Sequence, residues 1–176
     1  SELNPNSLLG HHVIDILQKE NTLWVLTTTG ISSLDLYNLK FTQYPLEGVK
    51  AITAFEDKIL VSTGNGIKEL DEEARIIKNN TLFPNEYQNI SAFYENEHSL
   101  FASTFNQWIL VLDKATRKIK KRHLPQIGIV NSLNQKDGKI WVASYSEGLF
   151  ELDEDLNILR HFHENGQGPL KLVNNS

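Results

Sequence analysis

The stretch VIDILQKENTLWVLTTTGISSLD at residues 13–35 holds two apolar runs on either side of Glu20-Asn21, a turn at Gly30, and a third run ending in Leu34-Asp35. β-branched and aromatic residues broken by tight-turn residues read as short antiparallel strands. The pattern then returns three times. Anchored on Trp24, it recurs at Leu60, Phe101 and Trp141, at spacings of 36, 41 and 40 residues. Eleven residues before each anchor stands a β-branched residue: Val13, Val49, Ile90 or Val130. Eight before it comes Ile16, Ile52, Phe93 or Leu133, and three after it a hydroxyl residue, Thr27, Thr63, Thr104 or Ser144. A Leu-Asp pair closes each copy's next segment, at Leu34-Asp35, Leu70-Asp71, Leu112-Asp113 and Leu152-Asp153.

The turns between these columns repeat as well. The first pairs an acid with a turn-tolerant residue, as Glu20-Asn21, Glu56-Asp57, Glu97-His98 and Asp137-Gly138, which suits two-residue hairpins. The second holds Gly30, Gly66 or Gly148, with Trp108 in that column of the third copy. The third opens at the Leu-Asp pair, where an Asp side chain can bond its own backbone and start the reversal. Fourth strands are expected over Phe41 to Tyr44, Arg75 to Lys78, Lys118 to Arg122 and Ile158 to Phe162.

Four antiparallel strands about every 40 residues is the length of a propeller blade, and such blades bury both faces against their neighbours. A lone four-stranded sheet leaves a face wet and is marginal. The expected fold is therefore all-β, with four four-stranded antiparallel sheets forming part of a larger, seven-bladed β-propeller. The blades fall at about 11–44, 49–78, 90–122 and 129–162, and 163–176 reads as a linker into a following blade.

Composition narrows function by exclusion. The chain has 176 residues, 40% hydrophobic and 22% charged, which is ordinary for a soluble globular protein. Its net charge of −5 argues against a nucleic-acid partner, because phosphate binding rests on clustered cations. Lys118, Lys120, Lys121 and Arg122 do cluster, and read as a solvated edge strand. No run approaches the roughly 20 apolar residues of a membrane span, so membrane contact is not expected. Zero Cys excludes thiolate metal sites and disulfides. With no Met anywhere, a chain opening on Ser1-Glu2-Leu3 reads as a processed or excised segment.

V-x-x-I, then seven residues to the W of L-W-V-x-T, then G-I or G-L, and L-D resembles the two-component regulator propeller repeat. Residues 13–35 carry it best, followed by 130–153, whose longer turn Tyr145-Ser146-Glu147-Gly148 resembles a variant of the same repeat. The second and third copies lack the Trp, and the third also lacks the Gly. The resemblance implies an extracytoplasmic, periplasmic sensing region of a hybrid histidine kinase of Bacteroides type. It further implies an oligosaccharide ligand, a homodimeric parent, and packing against that parent's remaining blades. The segment itself is expected to be non-enzymatic and to need no cofactor. A protein-interaction or dimerisation scaffold is the alternative reading, with a propeller lyase or lactonase behind it.

Side-chain chemistry singles out little else. His161-x-His163 places two imidazoles on one strand face but lacks a third zinc ligand. No nucleophile elbow frames a catalytic Ser. The acids Glu20, Glu56, Glu97 and Asp137 recur once per copy, as a turn requirement does and a unique acid–base pair does not. Trp24 and Trp141 occupy the repeat's anchor and are expected to be buried between blades. Trp108 breaks the turn rule, with Phe105 beside it and Tyr145 in the equivalent turn of the next copy. Aromatic rings stack on the C–H faces of sugars and mark recognition sites. The expected ligand contacts are Phe105, Trp108 and Tyr145, with Asn106 and Glu147 as hydroxyl partners. No catalytic or metal-binding residue is expected.

Overall fold

The computed structural model describes residues 6–71, 76–79, 82–167 and 171–173. Among the described residues sixteen strands form four antiparallel sheets, each a meander whose strands pair in chain order. The first sheet joins β1 (Val13–Lys19), β2 (Thr22–Thr27), β3 (Gly30–Asp35) and β4 (Lys40–Pro45). The second joins β5 (Val49–Phe55), β6 (Lys58–Thr63), β7 (Gly66–Leu70) and β8 (Ile76–Asn79). Arg75, expected to open β8, lies outside the described residues, as do 168–170 and 174–176 of the expected linker. The third sheet joins β9 (Ile90–Glu95), β10 (Ser99–Thr104), β11 (Trp108–Asp113) and β12 (Ile119–His123). The fourth joins β13 (Val130–Lys136), β14 (Lys139–Ser144), β15 (Leu149–Leu152) and β16 (Ile158–Phe162). Helix among the described residues amounts to single 3₁₀ turns at Asn85–Tyr87 and Pro125–Ile127. The chain divides into two compact units, 1–89 and 90–176, with two sheets in each.

Two of the sequence columns face each other across the first hairpin of every sheet. Val13 pairs with Thr27, Val49 with Thr63, Ile90 with Thr104 and Val130 with Ser144. One residue farther in, each ladder slips by one position, a β-bulge that bends the strand and raises its twist. The bulge falls at the same place four times because the repeat leaves one odd residue between that column and the turn.

In the first turn the structure corrects the expected geometry. The acid itself, rather than the residue after it, takes the left-handed backbone at Glu20 (φ 52°), Glu56 (φ 56°) and Asp137 (φ 52°), with Gly138 joining it at 71°. The third copy escapes this strain. Asn96 Oδ1 accepts the backbone N–H groups of His98 and Ser99 at 2.9 and 2.8 Å, and this side-chain turn spares Glu97 a positive φ.

The third turns follow the Asp chemistry read from the sequence. Asp35 Oδ1 accepts from Tyr37 N at 2.8 Å, Asp113 Oδ1 from Thr116 N at 2.6 Å, and Asp153 Oδ1 from Asp155 N and Asn157 N at 2.9 and 2.8 Å. At Asp113 and Asp153 such bonds favour the charged carboxylate. The Thr116 hydroxyl holds Asp113, and the Asn157 amide holds Asp153, below the usual carboxylate range.

Within each unit the sheets pack anchor face to following sheet. Trp24 is only 2% exposed, clustered with Leu26 and Ile31 of its own sheet and with Val49, Ile52, Ile59 and Val61 of the second. Phe101 is packed in the same way among Val130, Leu133, Ile140 and Val142. Conversely, Ile52 and Leu133 seal the sheets that precede them, whereas Ile16, the same column on the first sheet, is 57% exposed. Trp141 departs from the expected burial for the same reason. It is half-buried, 6.0 Å from the Phe162 ring, because the fourth sheet has no following sheet among the described residues.

Trp24→Ala is expected to cost about 3–5 kcal/mol of unfolding free energy, the lost burial plus the cavity left behind. Trp141→Ala costs markedly less, and paired urea titrations measure both. Asp153→Asn tests the turn charge. A carboxyl whose folded pKa is depressed contributes stability that is present above the ordinary carboxylate range and is lost as pH falls through the folded pKa. The parent is therefore expected to lose stability below about pH 4 more steeply than Asp153→Asn, read from melting temperatures across acid pH.

Candidate functional site

The second turn of each sheet is built on the hydroxyl column. Thr27 Oγ1 donates to the Gly30 carbonyl at 3.1 Å and Thr63 Oγ1 to that of Gly66 at 2.8 Å. Thr104 Oγ1 accepts the Trp108 N–H at 3.1 Å, and Ser144 Oγ those of Ser146 and Glu147 at 3.3 and 3.1 Å. All four hydroxyl residues are buried. Their role as turn caps follows from backbone geometry and was not read from the sequence, where they marked only a column.

Gly30 and Gly66 follow two-residue turns at 28–29 and 64–65 and open β3 and β7 at positive φ (144° and 97°), whereas 105–107 and 145–147 form three-residue turns. The third sheet manages without glycine because Gln107 takes the left-handed backbone (φ 65°) one residue before the glycine column. Trp108 is thereby released into the ladder opposite His123. This resolves the broken turn rule.

The sheet-to-sheet connection places the two longer turns on one side of their unit. Leu124 N donates to the Gln107 carbonyl at 2.9 Å and Tyr145 N to the Ile129 carbonyl at 2.8 Å, so Leu124 to Ile129 runs from one turn to the other. Its Leu124 and Ile127 are 3% and 1% exposed, anchoring the connection in the core.

Among the expected contacts, Asn106, Tyr145 and Glu147 are exposed, Tyr145 at 64%, while Phe105 and Trp108 are half-buried. The Trp108 ring lies 5.0 Å from His123, with the Lys121 ammonium 5.9 Å away over it, a cation–π arrangement. Glu147 Oε1 accepts the Ser146 hydroxyl at 2.9 Å, and the Glu147 carbonyl lies 2.5 Å from His161 Nε2. His161 also stacks on Phe150 at 4.0 Å and sits 4.5 Å from the His163 ring. Among the described residues no three His, Asp or Glu side chains gather in an arrangement able to hold a metal ion.

With this geometry in view, similarity to solved structures bears on the fold. The extracellular domain assigned to the hybrid two component system BT3049 of B. thetaiotaomicron matches 98% of this chain at TM-score 0.72 and 23% identity. That of BT4673 from the same organism matches 98% at TM-score 0.73 and 18% identity. The Neurospora crassa Pan2 WD40 domain matches 92% of this chain and 52% of its own at TM-score 0.64 and 14% identity. The four sheets are blades of a β-propeller. This chain spans about a quarter of the two bacterial domains, 24% and 25% of their lengths. No family model and no curated protein matches the sequence. No helix among the described residues is long and apolar enough to cross a membrane.

The glycine account makes opposite predictions for two turns. Gln107→Gly relieves a left-handed non-glycine residue and is expected to raise unfolding free energy by up to about 1 kcal/mol. Gly30→Ala lowers it, since a Cβ there meets the Tyr44 carbonyl oxygen at 2.5 Å. Urea unfolding of the two variants checks both signs.

Proposed function

We propose that the chain is a ligand-sensing propeller segment from the periplasmic, extracytoplasmic region of a two-component sensor, and that it recognises an oligosaccharide. The observation that carries this reading is the likeness, along 98% of the chain, to an extracellular domain of a hybrid two component system. The repeat columns support it independently, because they resemble those of the two-component regulator propeller. In this reading the segment recognises and does not catalyse, packs against further blades of its parent, and signals through a homodimeric histidine kinase.

The proposed contacts are Phe105, Asn106, Trp108, Tyr145 and Glu147. Turns are freed from the packing demands of the repeat, so variation among copies concentrates recognition there. Tyr145 offers an exposed ring, Trp108 a partly covered one, and Asn106 and Glu147 supply donors and acceptors for sugar hydroxyls. A scaffold reading draws on a different observation: Val13, Ile14 and Ile16 of β1 are exposed apolar residues, at 39%, 39% and 57%.

The test is glycan binding by the intact parent protein. Trp108→Ala and Tyr145→Ala are each expected to weaken affinity for its inducing oligosaccharide by about fivefold or more, the scale of a lost aromatic anchor. Unchanged affinity in both variants sinks these contacts. Binding of no glycan by the parent, with undisturbed dimer formation, transfers support to the scaffold.

A further inference from the structure

Each unit holds one pair of neighbouring sheets, and a space lies between the two sheets of each pair. Between the first and second sheets the described residues Lys19, Glu20, Thr22, Trp24 and Ile59 line a crevice of about 70 Å³. Between the third and fourth lies an open cleft of about 530 Å³, within the range of small-molecule sites. The two are the same place in the repeat. Asn96, Ser99, Phe101 and Ile140 of the cleft occupy the columns of Lys19, Thr22, Trp24 and Ile59.

Three substitutions within the repeat set the residues around the cleft apart from those around the crevice. In the first sheet the Trp24 indole extends toward the fourth strand and stacks on Tyr44 at 6.3 Å, while the Lys19 ammonium crosses to the Asp57 carbonyl at 2.6 Å. In the third sheet the anchor is the smaller Phe101, and its ring contact is Tyr94 on the first strand, at 5.6 Å. Arg122 stands in the Tyr44 column, and its guanidinium bonds Asn157. Val111 and Ile119 are half-exposed and form an apolar floor. The Lys19 strap is replaced by Asn96 Nδ2 donating to Gln135 Oε1 at 2.6 Å, which ties the sheets together along one side of the cleft.

The walls above that floor carry both signs of charge. His98 and Lys118 come from the third sheet and Glu154 from the fourth, all exposed at the cleft. Asp113 is already engaged by Thr116, and Lys120 by the Glu154 carbonyl and Asp155. Donors and acceptors over an apolar floor match a ring that is apolar on one face and hydroxylated at its edge. The near balance of charge favours an uncharged ring.

We infer that the cleft between the third and fourth sheets is a binding site for a neutral saccharide, with the half-exposed Val111 and Ile119 under the sugar ring and His98, Lys118 and Glu154 bonding its hydroxyls. The cleft opens at the first and third turns of the third sheet, at the opposite end of β10 from Phe105 and Trp108. It therefore stands independently of the contacts proposed above.

The experiment is a titration of the ¹⁵N-labelled full chain with cellobiose, maltose and lactose, with digalacturonate as the charged control, each at millimolar concentration. At least one neutral disaccharide is expected to shift the amide signals of His98, Ser99, Lys118 and Glu154. Phe101→Trp, which restores the first sheet's anchor, is expected to stay folded and abolish those shifts. Lys118→Ala is expected to weaken binding about tenfold, the scale of one lost charge-assisted hydrogen bond. The inference is overturned if no neutral disaccharide shifts these signals, if only digalacturonate does, or if folded Phe101→Trp binds as the parent does. Shifts confined to 105–108 and 145–147 also overturn it, while supporting the turn contacts.

Discussion

The packing of one sheet's anchor face against the sheet that follows is the constraint on which the molecule depends. A four-stranded meander satisfies its internal backbone hydrogen bonds by itself, but its two apolar faces need cover. Trp24 against Val49, Ile52, Ile59 and Val61, and Phe101 against Val130, Leu133, Ile140 and Val142, provide that cover inside each unit. Exposure follows directly. The same columns that are sealed at Ile52 and Trp24 stand open at Ile16 and half-open at Trp141, with no change in residue character to explain it.

That constraint also separates positions free to vary from those that are not. The column opposite each bulge must be a buried hydroxyl, because Thr27, Thr63, Thr104 and Ser144 each bond the turn beside them. Residues inside the turn carry no such demand, so they diverge from Thr28-Thr29 to Phe105-Asn106-Gln107 and Tyr145-Ser146-Glu147. The anchor is intermediate. It must be large and apolar, yet Trp24 and Phe101 both meet that requirement while turning to different strands, Trp24 to Tyr44 and Phe101 to Tyr94.

Much of the fold was legible because its causes are local. The meander follows from strand-forming runs separated by turn chemistry, and the third turns from Asp35, Asp113 and Asp153, whose side chains bond backbone a few residues on. Less of the candidate site was legible. Phe105, Trp108 and Tyr145 stood out as departures from the repeat, but the reason Trp108 tolerates its column is the left-handed Gln107 beside it, and no propensity singles out Gln for that conformation.

The sequence by itself determined that this protein is a run of four-stranded blades, since period, columns and turns are properties of neighbours along the chain. It also determined where the copies differ. Only the tertiary structure decided what those differences do. The direction of an aromatic ring depends on which partner it meets across the sheet, Tyr44 for Trp24 and Tyr94 for Phe101. Whether a gap closes or opens is a sum over side chains from two sheets that lie far apart in sequence, and no single column carries that sum.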